Sequence, residues 1–268
     1  MAIITKITTQ QKNQERYNVF MDYGKGEEFA FSVDSDVLIK FQLKKGMELD
    51  EFSLVEIQYQ DDIRKAYNSA VQFLARRIRS EKEIKDHLSK KEFEEPAIHE
   101  VIHKLKGQKY INDSEFAAAF VRTMANTTDK GPDIIKIELK EKGIAEGIIH
   151  AALTEFPKEQ QIDKAVKLGE KFFKKPSKDS LKIQKQKLEQ QLLRKGYSFE
   201  VIQIVLQETV TDDCDEELDA IRYQGEKVHR KYAQYTGFEY EQKMKQALYR
   251  KGFSIELIEK YLSEQEKS

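Results

Sequence analysis

The chain has 268 residues, of which 39% are hydrophobic and 35% are charged. A typical soluble domain has ~25% charged residues, and this chain contains only four Pro, twelve Gly and no Trp. The composition therefore predicts long helices with few breaks. The 46 Lys and Arg nearly cancel the 47 Asp and Glu, so the net charge does not indicate nucleic-acid binding, and the distribution of charge has to be considered instead.

Cys214 is the only cysteine, which excludes an internal disulfide and fits a reducing compartment. Residues 1–14 have no sustained apolar core, so they do not have the pattern of a secretory signal. No stretch approaches the ~18 apolar residues of a membrane span. We therefore expect a cytoplasmic protein that does not associate with a membrane.

Residues 1–50 predict a small β-rich N-terminal domain. Three short runs favour strands, namely 3–7, 17–20 and 29–33, and a turn signal at 22–26 separates the last two. A short helix is expected next, with Ser35 or Asp34 as its cap and an end near Gly46.

From about residue 52 the sequence predicts helices, and four segments within it align with one another without a gap. Their apolar positions coincide, with steps of four that keep residues on one helical face and two steps of five across the turn. The aligned segments are 83–102, 133–153, 186–206 and 242–262. The coinciding residues are Ile84, Leu88, Phe93, Ile98 and Ile102; Ile135, Leu139, Ile144, Ile149 and Leu153; Leu188, Leu192, Tyr197, Ile202 and Leu206; and Met244, Leu248, Phe253, Ile258 and Leu262.

Each aligned segment follows another amphipathic stretch, so the repeating unit is three helices of about fifty residues. The preceding stretches are 67–79, 114–127, 162–174 and 217–233. Such units bury little surface alone and have to stack on their neighbours. We expect four repeats, at 51–114, 115–158, 159–212 and 213–268.

Glycines lie where the second helix of a repeat has to end. Gly143, Gly196 and Gly252 occupy this place in the last three copies. Glycine adopts the left-handed conformation at a helix C-terminus at a lower free-energy cost than other residues do. The first copy has Glu92 there, so we expect its turn to differ.

The segment 99–103 matches the H-E-x-x-H pattern, in which His99 and His103 would share a zinc ion and Glu100 would act as a base. The other three copies lack these residues, and Ile98 and Ile102 already commit one face of the same helix to the core. A chance match is favoured, and we predict no metal site, although a zinc hydrolase stays open as a remote alternative.

No other motif indicates catalysis or a cofactor. Gly24 and Gly26 lack the third glycine and the helix of a phosphate-binding loop. Cys214 lies between Asp213 and Asp215, and these carboxylates disfavour its thiolate form. We predict that the chain is not an enzyme and binds no cofactor.

The charges are segregated along the chain. Residues 164–187 contain nine Lys against Glu170 and Asp179, whereas 208–219 contain seven acidic residues and no basic one. Basic clusters can neutralise phosphates or bind an acidic partner. The candidate partner- or DNA-binding residues are Arg76, Arg77, Arg79, Lys167, Lys171, Lys174, Lys175, Lys178, Lys182, Arg194 and Lys195.

The helix–turn–helix shape also allows a transcription-factor interpretation, with the second helix of each pair in the major groove. The first turn of that helix is acidic in every copy, as Glu95, Glu146, Glu200 and Glu256 show. Carboxylates there suit the helix dipole but repel phosphate. A regulator that acts directly on duplex DNA is therefore disfavoured, but it stays open.

Three blocks of the chain resemble the RecX family. They are Glu83 to Phe93, the apolar series that begins at Ile98, and a Y-I-N-D-x-x-F-A block at 110–117, of which the last is fairly specific. The K-G turns that end at Ile144, Tyr197 and Phe253 are similar to the family's repeat turns, and the likeness covers about 64–265. The chain differs from shorter members by its β-rich N-terminal domain and its fourth repeat.

This resemblance implies an elongated, curved array of three-helix repeats that lies in the groove of a RecA-type recombinase filament on DNA. It also implies a monomer that modulates the recombinase, usually by inhibition, and has no catalytic activity of its own. Contact with single- or double-stranded DNA is compatible with this role.

Overall fold

The computed structural model describes residues 2–210 and 214–266. None of the helices in these ranges is long and apolar enough to cross a membrane. Packing divides the chain into two compact units, Met1–Ala117 with Glu141–Ile148 and Ala118–Lys140 with Ile149–Ser268. The described residues are mainly helical, with a small sheet at the N-terminal end, so the predicted fold class is confirmed.

The N-terminal domain is a four-stranded antiparallel sheet with the strand order β3-β2-β1-β4. Its strands are β1 (Ala2–Thr9), β2 (Arg16–Asp22), β3 (Glu27–Asp34) and β4 (Glu48–Leu49). Strand β4 has no signal in the sequence, because two residues are too short to show an alternating pattern. In the turn between β2 and β3, the Asp22 carboxylate accepts hydrogen bonds from the backbone N–H groups of Gly24 and Gly26 at 2.7 and 2.9 Å.

Helix α1 (Ser35–Lys40) begins as predicted, because the Asp34 side chain caps it by accepting a hydrogen bond from the N–H of Asp36. The expected end near Gly46 is wrong. The helix ends at Lys40, and Gln42 follows with a φ of 51°. No glycine or proline marks this place, which is why the sequence did not show it.

Helix α2 (Glu51–Leu74) belongs to both the N-terminal domain and the first repeat. Ile57, in its first half, is buried in the core of the sheet, whereas Ala66 and Ala70 are buried in the core of the first repeat. The buried Asp61 fixes the helix against the sheet by accepting a hydrogen bond from the N–H of Asp34 at 2.8 Å and pairing with Arg16 at 2.8 Å. One unbroken helix therefore links the two domains.

The remaining helices follow in groups of three. The first repeat is completed by α3 (Glu81–Ser89) and α4 (Glu95–Gly107), and the second consists of α5 (Asp113–Thr127), α6 (Pro132–Glu141) and α7 (Glu146–Leu153). The third consists of α8 (Lys158–Phe173), α9 (Leu181–Arg194) and α10 (Phe199–Thr209), and the fourth of α11 (Cys214–Tyr232), α12 (Gly237–Arg250) and α13 (Ile255–Glu266).

The predicted apolar positions form the cores of these repeats. Phe93, Leu153 and Leu206 are half-buried, and the other seventeen aligned residues are buried. The spacing of apolar residues predicted these positions correctly, because a face with a period of 3.6 can be buried only as a helix.

The expectation that the first turn differs from the others is wrong. Glu92 has a φ of 63°, close to the 79°, 83° and 89° of Gly143, Gly196 and Gly252. The N–H of Phe93 bonds to the carbonyl of Leu88, as the N–H of Tyr197 bonds to that of Leu192. A left-handed turn therefore does not by itself explain why three of the four copies have glycine.

The glycines are explained by the neighbouring repeat. A Cβ atom on Gly196 would lie 2.6 Å from the backbone nitrogen of Ile134, and one on Gly252 would lie 2.5 Å from Oγ of Ser180. These distances are far shorter than van der Waals contact, so only glycine fits. In the first copy, no earlier repeat packs on the turn, and a side chain is tolerated at Glu92.

At each of these contacts, the start of a repeat's second helix meets the carbonyl that precedes the turn glycine of the next repeat. Ser80 donates its hydroxyl to the carbonyl of Lys142 at 2.9 Å, and Ser180 donates to that of Lys251 at 2.6 Å. Between the second and third repeats, the backbone N–H of Gly131 donates to the carbonyl of Lys195 at 2.7 Å. We call these three contacts the repeat junctions. Each one pairs carbonyl oxygens that a helix end leaves without a partner.

Tyr197 is 1% exposed, and its hydroxyl makes no hydrogen bond to the protein groups that the structure describes. Burial raises the pKa of this hydroxyl to about 12, so the side chain is neutral at physiological pH. The equivalent residues of the first and fourth repeats are Phe93 and Phe253, which fill the same place without a polar atom.

We predict that Gly196→Ala lowers the free energy of unfolding by at least about 1–2 kcal/mol. The substitution places a Cβ atom on a residue with a left-handed backbone conformation and brings that atom too close to the backbone of Ile134. Glu92→Ala, the matched control in the same turn conformation, should change it by less than about 0.5 kcal/mol. Urea unfolding followed by circular dichroism measures both. Equal effects of the two substitutions would show that packing of the next repeat does not require the glycine.

We predict that Tyr197→Phe keeps the free energy of unfolding unchanged or raises it by about 1 kcal/mol, because a buried polar group without a partner is costly. The same urea experiment measures it, with Tyr197→Ala as the comparison that removes the ring. A loss of more than about 1 kcal/mol in the Phe variant would contradict this account and would show that the hydroxyl has a stabilising partner.

Candidate partner-binding surfaces

The H-E-x-x-H segment lies on α4, and the side chains of His99, Glu100 and His103 are exposed. Nε2 of His99 lies 2.9 Å from the Glu95 carboxylate, and Glu100 accepts a hydrogen bond from Tyr59 at 3.2 Å. Within residues 2–210 and 214–266, no three His, Cys, Asp or Glu side chains are grouped so that they could hold a metal ion. The side chain of Cys214 and the flanking Asp212 and Asp213 lie outside the described residues.

The arginine cluster of Arg76, Arg77 and Arg79 lies in the loop between α2 and α3. The predicted helical stretch 67–79 is therefore wrong at its end, since α2 ends at Leu74. Arg77 is held by Glu83 at 2.8 and 3.3 Å, and this same Glu83 closes the capping box of α3. Arg76 is exposed and has no ion pair among the described residues, so it is free to bind a partner.

Arg79 is half-buried, and its guanidinium carbon lies 3.9 Å from the centroid of the Phe73 ring. The Phe73 ring also stacks in parallel with the His87 ring, and their centroids lie 4.0 Å apart. Burial first, and then the charge of Arg77, lower the pKa of Arg79. Burial first, and then the charges of Lys91 and Arg79, also lower the pKa of His87. Neighbouring cations thus contribute to both shifts, after burial.

The lysine-rich stretch, residues 164–187, runs from α8 through a loop into α9. The predicted helical stretch to Lys174 ends one residue early, at Phe173. Lys167 and Lys171 lie one turn apart on α8, and Lys174, Lys175 and Lys178 lie in the loop. Lys182 and Lys185 follow on α9.

Some cations of this stretch and of the adjoining turn have a structural role. Lys164 is half-buried and donates hydrogen bonds to the carbonyls of Ala125 and Thr128, which ends α5. Lys187 pairs with Asp179, and Lys195 pairs with Asp129 at 3.2 Å. Burial lowers the pKa of Lys164.

Other cations have no such role. Arg194 is exposed and donates to the carbonyl of Gln190 at 3.3 Å, which leaves its charge unpaired. Five exposed lysines have neither an ion pair nor a side-chain hydrogen bond among the described residues. They are Lys167, Lys171, Lys174, Lys175 and Lys182.

Lys178 lies in a cluster that sequence reasoning missed. Its Nζ lies 4.1 Å from the centroid of the Tyr223 ring, and Nζ of Lys227 lies 4.3 Å from the same ring. Hydrogen bonds from Lys227 and then Lys178 lower the pKa of Tyr223. Gln224 holds the loop by donating to the carbonyl of Lys178 at 2.7 Å. No local signal links residues 178 and 227, because only tertiary packing brings them together.

The third helix of each repeat has a carboxylate in its first turn, as the sequence indicated. Glu95, Glu146, Glu200 and Glu256 all lie in first turns. Glu200 pairs with Lys158, and Glu95 with His99. These helix ends therefore do not present a basic surface to a phosphate backbone.

The Y-I-N-D-x-x-F-A block joins α4 to α5. Ile111 and Phe116 are buried, and the Asn112 side chain caps α5 by accepting from the N–H of Ser114 at 3.0 Å. Asp113 accepts a hydrogen bond from the N–H of Glu81, the first residue of α3, at 2.9 Å. Tyr110 is 59% exposed, so it differs from the rest of the block.

Family models match the chain over most of its length. The model described as the N-terminal domain of regulatory protein RecX matches residues 2–50. The RecX first and second three-helix domains match 66–105 and 112–153. The RecX third three-helix domain matches twice, at 159–206 and 215–262. The fourth repeat is thus similar to the third.

Relatives of known family share about half of the sequence. "Regulatory protein RecX" of Bacillus licheniformis is 50% identical over 265 residues, which is 98% of this chain and 99% of the relative. The protein of the same name from Bacillus subtilis is 50% identical over 267 residues, which is 99% of this chain and all of the relative. The N-terminal domain and the fourth repeat therefore belong to the length that these relatives share.

Solved structures agree with this result. A crystal structure of regulatory protein RecX is 38% identical, with a TM-score of 0.68, and covers 78% of this chain and all of that chain. The crystal structure of RecX from Lactobacillus salivarius is 41% identical, with a TM-score of 0.54, and covers 56% of this chain and 97% of that chain. With its N-terminal sheet domain, its three-helix domains and its full-length relatives, this chain belongs to the RecX family of regulatory proteins.

Proposed function

We propose that this chain binds a RecA-type recombinase filament on DNA and lowers its rates of strand exchange and ATP hydrolysis. It acts in the cytoplasm as a monomer and has no catalytic activity of its own. Membership of the RecX family over the whole chain carries this proposal, since recombinase modulation is what the resemblance implies.

The distribution of charge supports a filament as the partner. The five free lysines of the lysine-rich stretch and the free Arg76 offer positive charge to phosphates or to carboxylates on a protein surface. A run of like charges stabilises a helix less than alternating charges do, because it forms fewer ion pairs between residues i and i+4. Such a run therefore indicates that a partner uses the charge.

Direct reading of duplex DNA has less support. The helices that would enter the major groove have a carboxylate in the first turn, namely Glu95, Glu146, Glu200 and Glu256. A carboxylate at this place repels the phosphates between which the helix would have to insert. A gel shift with random duplex DNA, with and without recombinase, separates a direct DNA regulator from a filament modulator.

We predict that adding the protein to recombinase on single-stranded DNA lowers the ATP-hydrolysis rate until binding saturates. Strand exchange, measured with the same filaments, should fall over the same concentration range. The matched control is the protein added to recombinase without DNA. Unchanged rates at saturating protein would count decisively against inhibition.

We predict that reversing four free lysines weakens filament binding and flattens its salt dependence. The substitutions are Lys167→Glu, Lys171→Glu, Lys174→Glu and Lys175→Glu. Each lost phosphate contact should reduce the log–log slope of affinity against salt by roughly 0.7 to 0.9. Helix content, measured by circular dichroism, should stay unchanged because these side chains are exposed.

A control variant with the same change in net charge isolates the effect of position. It reverses four exposed lysines of the N-terminal domain that have no ion pair among the described residues. They are Lys12, Lys25, Lys44 and Lys45. If the two variants have the same affinity for the filament, net charge governs the affinity and the position of the lysines does not. The lysine-rich stretch would then not be the contact surface, which would have to be sought near Arg76.

A further inference from the structure

Tyr110 is the one residue of the Y-I-N-D block whose side chain the described structure does not use. Its neighbours fill the core, cap α5 or accept a hydrogen bond from the start of α3. Tyr110 contributes its backbone N–H, which bonds to the carbonyl of Leu105 at 2.9 Å, but its ring is 59% exposed. Most of this side chain is therefore available for a contact outside the chain.

Tyr110 forms one wall of a groove of about 440 Å³. The floor is aliphatic and comes from the end of α2 and the loop after it, with Val71, Leu74 and Ala75. Ile78 faces the same groove and is itself 59% exposed. Two exposed apolar side chains from different loops thus converge on one concave, mostly apolar surface.

One cation and one carboxylate line this groove, and a second cation adjoins the lining residues in the chain. Lys109 lines it, and Arg76 lies in the chain between the lining residues Ala75 and Ile78. Neither cation has an ion pair among the described residues. Glu115 is the acidic residue in the lining. A partner that fits both features has an apolar side chain flanked by carboxylates.

We propose that this groove, which we call the Tyr110 groove, binds an acidic segment of the recombinase that inserts one apolar side chain between Tyr110 and Ile78. The proposal rests on the proposed function and identifies a contact within it. An aliphatic floor favours a protein side chain over a nucleobase, since bases are held mainly by aromatic platforms and edge hydrogen bonds. The apolar anchor supplies affinity, and Arg76 with Lys109 supplies orientation and attraction over distance.

The double variant Ile78→Ser with Tyr110→Ser tests this contact. Both side chains are exposed, so the fold should be kept, and circular dichroism checks it. The matched control removes an isoleucine and an aromatic residue from exposed positions on α1 and at the start of α2, as Ile39→Ser with Phe52→Ser, which are 69% and 87% exposed in the wild type. Affinity for recombinase filaments on single-stranded DNA is measured over a salt series, together with affinity for the same DNA without recombinase.

We expect the groove variant to raise the Kd for the filament by roughly tenfold or more, the scale of an aromatic anchor lost from an interface. The salt slope should stay unchanged, because no charge has been altered, and the control should bind as the wild type does. A second pair, Arg76→Glu with Lys109→Glu, should weaken binding and change the salt slope.

Filament binding by the groove variant that equals the control would overturn the proposal. A loss of affinity that is equal for DNA alone would overturn it too, since the groove would then bind a nucleobase. Failure of the wild-type protein to bind filaments would refute the proposed function itself, and with it a recombinase segment in this groove, which separates the two failures.

Discussion

The repeat junctions constrain most of the helical part of this molecule. At each one, a hydroxyl or N–H group at the start of a second helix meets the carbonyl that precedes the turn of the next repeat. A helix start has donors without partners and a helix end has acceptors without partners, so each end satisfies the other. Ser180 both accepts from the N–H of Ile183 and donates to the carbonyl of Lys251. One hydroxyl thus caps its own helix and fixes the neighbouring repeat.

The close approach of neighbouring repeats at these junctions determines which residues fit in the turns. Glycine is required at the second, third and fourth turns, where a Cβ atom would collide with Cβ of Lys82, the backbone nitrogen of Ile134 or Oγ of Ser180 in the preceding repeat. It is not required at the first, where Glu92 adopts the same left-handed conformation. Between the second and third repeats, Gly131 replaces the capping serine, because a Cβ atom there would lie 2.4 Å from the carbonyl oxygen of Gly196.

The first repeat is joined to the sheet by a continuous helix and a buried ion pair. Helix α2 is continuous through both cores, and the buried Asp61 pairs with Arg16 and Lys65 at 2.8 and 3.0 Å. A buried carboxylate is costly unless it is paired and hydrogen-bonded, as this one is. The arrangement fixes α2 against β2 and β3, and so it also fixes where the loop with Arg76 and the Tyr110 groove begins.

The sequence predicts the fold wherever a periodic pattern of apolar residues indicates which positions are buried. It does not predict the arrangement of the exposed surfaces. The aligned residues from Ile84 to Leu262 are correct core positions because spacing alone determines the buried face of a helix. Asp61 gave no signal, since a buried acid and an exposed one look alike in a sequence. Local charge also could not distinguish the structural Lys164 from the free Lys167, because the carbonyls that bind Lys164 come from another helix.

The Tyr110 groove is a second surface that could not be predicted from the sequence. The block around Tyr110 was specific enough to identify the family, but five of its residues serve the fold. Only the exposed fraction of the ring separates Tyr110 from them, and that quantity depends on Ile78 and on the floor from α2. The candidate binding surfaces of this chain are therefore defined by what folding leaves exposed.

The central claim is that a recombinase filament contacts the lysine-rich stretch and the loops around the Tyr110 groove. Hydrogen–deuterium exchange of this chain, free and bound to recombinase on single-stranded DNA, tests it directly. The account predicts slower exchange on the filament for the amides of 75–79, 108–112 and 167–178, while the buried amides of β1 and β2 stay as they are. Unchanged exchange in all three segments, or protection confined to the N-terminal sheet, would contradict it.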